Sequence, residues 1–358
     1  VSPAEIGDLA VRTARAEYLL ELGRAAEARA QIAAVLASEP DDARAQRLLV
    51  RCLLQLDDPQ TLDASKRAVV LAPDNDQSHR LASLAHTAAG LHDLAVQHAR
   101  EAVRLAPHEW RAHHVLTHAL TATDPEAALA AGQDGIRVAP AEPAMHLVLG
   151  LAALRAKRNT KAKEAFRTVL RLDPDNATAR NNLAIVDLRT GRFGEAMDGF
   201  GAALAADPRL SLARGNLDAV TLTMLMKLRY FVVASEFLSF HLIGVSTHAS
   251  DQVRAAALLI LWIGLAGWGY SRVPGRLRAY ALGIFRRRRR AAVLGAVIVI
   301  ATVGVVLGPL TGVLSTGAGL AFGGIAALTI LTDLFWYSRL RAKARAKRKL
   351  KNEQAARG

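Results

Sequence analysis

The sequence predicts an all-α protein: a helix-turn-helix solenoid of about six repeats followed by a C-terminal transmembrane helical region. Three observations carry this expectation. Prolines recur at intervals of 33 or 34 residues from Pro40 to Pro208, a period that belongs to stacked supersecondary units. The net charge of +14 is divided unevenly: residues 1–220 hold 26 Lys and Arg against 28 Asp and Glu, or −2, while residues 221–358 hold 20 against 4, or +16. Finally, Ala291 to Thr332 runs for 42 residues without Asp, Glu, Lys, Arg or His, twice the roughly 20 that one helix needs to cross a bilayer.

The period is visible at several positions. Pro40, Pro73, Pro107, Pro140, Pro174 and Pro208 are separated by 33, 34, 33, 34 and 34 residues. Twelve residues before them stand Ala28, Thr61, Ala95, Ala128, Ala162 and Ala196; eight before stand Ile32, Ser65, Ala99, Gly132, Phe166 and Phe200. The two shorter units align with one residue missing at the turn between their helices, around "LDDPQ" and "TATDP", where loops absorb deletions more readily than packed helices do. Residues 1–208 form this solenoid, and 209–229 read as a helix that caps the last repeat and runs into the following region.

The pattern resembles the tetratricopeptide repeat family: a 34-residue unit, a small alanine where two helices touch, a larger apolar residue four positions later and a closing proline. The resemblance covers about residues 9–208. Two departures stand out. The aromatic residue usual early in the first helix is replaced by Arg12, Gln46, His79, His113, His146 and Arg180, and repeats two to four lack the large residue of the second helix. The resemblance implies a scaffold or adaptor whose first helices line a groove for an extended peptide or a partner's helix, through the second, fifth, sixth and ninth positions of each. Those positions hold Arg44, Arg47, Leu48 and Arg51; Gln77, Arg80, Leu81 and Leu84; Arg111, His114, Val115 and His118; and Thr178, Asn181, Asn182 and Ile185. Arg44, Arg47 and Arg51 share one helical face, and with Arg80 and Arg111 they suggest an acidic peptide or protein partner. A solvated charged face is the competing reading.

Sharper chemistry finds little support. His114 and His118 stand four apart with His113 and His108 near, but no Cys or carboxylate at ligand spacing completes a metal site. Cys52 is the only cysteine, which excludes an intramolecular disulfide and reads as a buried helical residue. No Gly-rich phosphate loop, nucleophile elbow or paired acid motif is present. The expectation is therefore no enzyme and no cofactor.

The basic half is also the apolar half. Candidate spans are 230–247, 254–271, 291–313 and 317–338, the last two joined by the turn "PLTGVLSTGAG". Cytoplasmic loops collect Lys and Arg. The loop 272–290, which ends on Arg286, Arg287, Arg288, Arg289 and Arg290, and the basic tail 339–358 are thus both expected inside, against anionic lipid. Cations set between hydrophobic segments argue against nucleic acid, which needs them on a folded polar surface. If 230–247 crosses, the repeats and the C-terminus are both cytoplasmic; if it does not, three crossings place the repeats outside. No charged, apolar, cleavable leader opens the given sequence, which favours four spans. Glu236, His241 and Asp333 are the ionisable residues within these spans and functional suspects on that account, although Glu236 and His241 also fit a segment lying on the membrane. Gly304, Gly308, Gly312, Gly319 and Gly323 form small-residue faces suited to hairpin packing or a homo-oligomer. The expectation is a multi-pass cytoplasmic-membrane protein that recruits partners through its repeats; the alternative is a transporter or channel subunit that the repeats regulate.

Overall fold

The computed structural model describes residues 3–223 and Gly264, with side chains from Gly7 onward. The candidate spans, the loop 272–290 and the tail 339–358 lie outside the described residues but for Gly264, and so do Glu236, His241, Asp333 and Arg286 to Arg290. Every described element is a helix: α1 (Pro3–Glu21), α2 (Ala25–Ser38), α3 (Ala43–Leu56), α4 (Thr61–Leu71), α5 (Asp76–Ala89), α6 (His92–Leu105), α7 (Trp110–Thr123), α8 (Pro125–Val138), α9 (Pro143–Arg155), α10 (Asn159–Leu172), α11 (Ala177–Arg189) and α12 (Phe193–Ala206). A further helix, α13, occupies 211–223. The six expected helix pairs are all present. Among the described residues no helix is long and apolar enough to cross a membrane. The chain divides between Asp175 and Asn176 into two compact units, the first containing α1 to α10 and the second α11 to α13.

First and second helices begin by different means. From α3 onward, each first helix up to α11 is preceded by a side chain that accepts a hydrogen bond from its first turn: Asp42, Asn75, Glu109, Glu142 and Asn176. Such caps satisfy amide groups that the helix itself leaves open. The second helices α2, α6, α10 and α12 have no side-chain cap. They are entered instead through tight turns with a residue at positive φ: Gly23, Gly90, Lys157 and Gly191. The two shorter repeats lose their residue differently. In repeat four Asp124 alone separates α7 from α8, capping Ala127 ahead of Pro125. In repeat two the turn is longer and α4 is the shorter helix, because the Asp58 carboxylate accepts from the Gln60 amide at 2.8 Å around Pro59 and holds the chain in a turn.

Packing follows the small residues. Ala28, Ala95, Ala128, Ala162 and Ala196 are fully buried. In repeat five a Cβ added at Gly150 would stand 2.5 Å from the Phe166 ring, so the ring of the second helix lies directly on the backbone of the first. In repeat four a Cβ at Gly132 would stand 2.9 Å from Leu149 Cδ1 and 3.3 Å from Thr117 Cγ2. The missing large residue is therefore compensated by closer apposition, with Leu149 of the next helix filling the space. The third and tenth positions of each first helix face the preceding repeat: Ala45 and Cys52, Ser78 and Ala85, Ala112 and Ala119, Met145 and Ala152 are all buried. Within the second unit Ala213, Leu217 and Val220 of α13 are buried, and Leu217 and Val220 join Ala184, Ala196, Met197 and Phe200 in one cluster, as a capping helix should.

The unusual fourth position has a structural role. His79, His113 and His146 each place Nε2 2.8 Å from the carbonyl oxygen of the proline six residues earlier, Pro73, Pro107 and Pro140. Arg214 makes the same bond to Pro208 at 3.0 Å. A polar side chain at this position ties the first helix to the loop that precedes it, where an aromatic would only pack. Gln46 differs and donates to the Ala64 carbonyl at 3.1 Å.

Gly150→Ala should lower the thermal midpoint of the protein, since overpacking of about 1–3 kcal/mol outweighs a helix-propensity gain of about 1 kcal/mol. Adding Phe166→Leu should restore part of the loss. Gly215→Ala, where a Cβ meets nothing within 4 Å, should raise the midpoint; a rise at both glycines would refute the tight contact.

Candidate functional site

In the first unit, successive first helices α1, α3, α5, α7 and α9 touch one another in order, which lays their second, fifth and ninth positions along one face. The sixth position does not belong to that face. Leu48, Leu81, Val115 and Val148 are buried, because residues three, six and ten form the stripe turned toward the preceding repeat.

The arginines of the face alternate with carboxylates. Arg44 is exposed and grips Glu17, the ninth-position residue of α1, with Nη2 at 3.0 and 2.8 Å from its two oxygens. This bond and the charge of Glu17 raise the Arg44 pKa further above its ordinary value. Arg80 Nε donates to Asp76 at 2.8 Å, with only 17% and 24% of the two side chains exposed. Arg111 lies 3.3 Å from Glu109 and stacks 4.5 Å over the Trp110 ring, a favourable cation–π geometry. Arg47 is half-buried. Burial pulls its pKa down, opposed by Asp42 and Asp76 and reinforced by Arg44, and its Nε is buried without a hydrogen-bond partner. Arg51 is half-buried next to it along the face. Of the five expected arginines, three hold carboxylates of their own chain and Arg47 keeps unused donor capacity.

Farther along the face the chemistry turns aromatic and apolar. His114 meets the edge of the Trp110 ring at 6.2 Å between centroids, and burial, then His118, push its pKa down to about 4. His118 is also shifted downward by burial and by His92, and the Nδ1 atoms of His92 and His118 are buried without partners. Burial thus keeps the His114 and His118 rings neutral at pH 7. Among the described residues no three His, Cys, Asp or Glu side chains come together in a metal-binding arrangement.

The expected contribution of repeat six lies differently. Asn181 and Asn182 are 4% and 7% exposed, and Asn181 accepts a hydrogen bond from Asn216 of α13 at 3.0 Å. The capping helix takes up Asn181, and Asn182 holds the sixth position, which is buried in α3, α5, α7 and α9 as well, so neither lies on an open face. The burial of Asn181 could not be read from position alone, because it involves the helix that comes after the repeat. Sequence reasoning also missed a cluster of His79, His86 and His98 inside repeat three; the fourth and eleventh positions of α5, both histidine, were its visible signal.

Cys52 is fully buried, and its thiol is pushed up to about 11 by desolvation. Since the thiolate is the reactive form, a thiol reagent at pH 8 should label Cys52 only as fast as the protein unfolds. Labelling of the folded protein at the rate of a free thiol would show that the face between repeats one and two is open.

The tetratricopeptide repeat profile matches residues 13–61, 117–162 and 149–211. No curated protein sequence matches the chain. Among solved structures, the Cut9–Hcn1 hetero-tetramer of the APC/C aligns with TM-score 0.52 and 18% identity over 60% of this chain; the alignment spans only 43% of that protein. The pilF protein of Pseudomonas aeruginosa aligns with TM-score 0.46 and 14% identity, over 59% of this chain and 97% of its own. A thermophilic tetratricopeptide protein of Thermus thermophilus aligns with TM-score 0.37 and 25% identity, over 60% and 99%. At these identities the first likeness concerns the fold alone.

Proposed function

Because this protein carries tetratricopeptide repeats and so groups with helical-repeat interaction modules, we propose that it is a membrane-anchored adaptor. Its first-helix face binds a partner protein through an acidic, partly apolar segment. The observation that carries this reading is Arg47, which is partly withdrawn from water, lacks a partner at Nε and lies beside Arg51 at the middle of the face. A partner carboxylate there would satisfy a buried donor as well as pair a charge, and guanidinium matches carboxylate in a two-bonded fork. Trp110, His114, Leu84 and Leu147 extend the surface toward apolar contact. Arg44, Arg80 and Arg111 act as the frame, held by Glu17, Asp76 and Glu109.

The anchor is the apolar region beyond the described residues. Its uncharged stretch Ala291 to Thr332 and the cationic segments on either side fit two spans with both flanks on the inner face, and four spans would place the repeats there too. In this reading the basic loop 272–290 and tail rest on anionic lipid, and the protein brings its partner to the cytoplasmic side of the membrane. Its role is binding, with no catalytic step. A reporter active only in the cytoplasm should be active when fused after Gly358 and inactive when fused near Ser250; activity at Ser250 would mean that 230–247 does not cross.

Crosslinking in membranes followed by mass spectrometry should recover a protein joined near α3 or α5. Against that partner, Arg47→Ala with Arg51→Ala should weaken binding about tenfold and reduce its dependence on salt. Substituting Arg44 alone should change affinity no more than about fivefold, because exposed pairs contribute about 0.2–1 kcal/mol. A control at Arg155, beside the turn of repeat five, should be silent. Equal loss from the control and the double variant would make the face only a solvated one.

A further inference from the structure

The fourth and eleventh positions of a first helix look toward the second helix of the same repeat, and α5 alone among the described first helices fills both with histidine. His79 and His86 are buried. His98 of α6 enters the same seam: its Nδ1 lies 3.2 Å from His79 Nδ1, and its ring centroid is 5.4 Å from that of His79 and 5.0 Å from that of His86. Three imidazoles thus meet in the seam of a repeat that has only Ala99 where later repeats have Phe166 and Phe200.

Hydrogen bonding fixes where the protons are. The Pro73 carbonyl can only accept, so His79 Nε2, 2.8 Å away, carries a proton. In a neutral ring its Nδ1 is then an acceptor, and His98 Nδ1–H donates to it. By the same logic His86 Nδ1–H donates to the Ala82 carbonyl at 2.7 Å. One arrangement of three neutral rings satisfies all these contacts. A proton added at His79 Nδ1 sets N–H against N–H, and one added to His98 places a cation between two other rings in a buried seam.

The carboxylates around the seam are already engaged. On α6, Glu101 faces His79 but is held by Arg104 through two bonds, and Asp74 in the preceding loop acts on Arg104. On α5, Asp76 is held by Arg80. On α4, Asp63 pairs with Lys66 and Arg67 reaches Asp41, while α3 brings Arg47, a further cation, toward Asp76. On the other side α7 adds imidazoles: His113 is bonded to the Pro107 carbonyl, and His118 lies near His92 at the start of α6. Burial, then His86 and His79, accordingly push His98 down to about 4.

We propose that repeat three is an acid-opened joint: a proton taken up at His98, packed against His79 and His86, parts α5 from α6, and with α5 moves Arg80 and Leu84 out of the binding face. The effect on the face rests on the function proposed above; the parting of the helices does not. The sign follows from linkage. In the parted state an exposed imidazole returns to about 6.5, so this state binds protons more tightly and gains population as pH falls below that value, until the closed state also titrates near 4. For His98 alone, the parted form at pH 5.5 is favoured about tenfold over its share at pH 7.5.

Hydrogen exchange of the full-length protein at pH 7.5 and 5.5, corrected for the intrinsic pH dependence of amide exchange, tests this. Amides of 76–105 should lose about tenfold in protection at the lower pH, while those of 143–172, whose seam holds Phe166, should not. In His98→Gln, which cannot take a proton, the loss should vanish. Should that variant lose helical circular dichroism, His86→Gln serves in its place, and the loss should shrink. Unchanged protection of 76–105, or the same loss in the glutamine variants, overturns the proposal. Partner binding that weakens in acid while protection holds would also overturn it, placing the pH effect on the face and not in the joint.

Discussion

The structure depends on close approach of two helices over a residue too small to keep them apart. Ala28, Ala95, Ala128, Ala162 and Ala196 are fully buried at this crossing, and each lets the next apolar or aromatic residue reach the opposite backbone. Phe166 on Gly150 is a tight case. Dispersion falls steeply with separation, so a gap of about an ångström across this seam would forfeit a large part of the attraction. The same economy governs contacts between repeats, where Ala45, Ser78, Ala112 and Met145 are buried at one register position. At α1 that register holds Val11 and Tyr18, which are 66% and 61% exposed. The face is apolar there because it keeps the register of the repeat.

Once the seams are set, the first-helix face has no freedom to leave its charges alone. Successive first helices lie side by side, so the ninth position of one meets the second position of the next, as Glu17 meets Arg44. The opposite charges of this pair hold α1 and α3 in register. The cost is that such arginines are engaged before any partner arrives, and a ligand must compete with the chain's own carboxylates. Arg47 differs: of the carboxylates that act on it, Asp42 caps the amides of Arg44 and Ala45 through Oδ1 and Asp76 is held by Arg80. The Nε of Arg47 stays buried without a partner, and in the proposed reading Arg47 is the residue that meets a partner's carboxylate.

Much of the fold was legible in the sequence. The proline interval, the alanine twelve residues earlier and the missing residue near "TATDP" all correspond to helices, seams and a shortened turn. What could not be read was anything decided by a neighbour outside the repeat unit. Asn181 stands where a groove position is expected, yet Asn216 of α13 takes it up. The five arginines were visible, but the pairing of Arg44 with Glu17 depends on how adjacent helices align in space, whereas Arg80 with Asp76 and Arg111 with Glu109 are neighbours within one helix and its cap. Leu48, Leu81 and Val115 fell on the wrong side of the face by one register step, since the sixth position joins the third and tenth. In repeat two the shortening is taken by α4 and not by the turn, because Pro59 and the Asp58 cap lengthen the loop.

The departures from the family pattern gain meaning when taken together. Where an aromatic is usual, this chain uses a polar residue that bonds the loop before it, and His79, His113, His146 and Arg214 do so over the same six-residue span. That substitution exchanges burial area for a directional bond, which fixes the helix entry but gives the seam less apolar surface. Repeats five and six recover it with Phe166 and Phe200; repeat two has Leu53 and repeat four Leu120 at the eleventh position. Repeat three has neither, and its seam holds imidazoles. Since the stability of a repeat array is close to a sum of local and neighbour terms, the repeat whose seam is built from imidazoles is the one whose contribution we propose to vary with pH. The first-helix face crosses that repeat through Arg80 and Leu84, and in the proposed reading it inherits the variation.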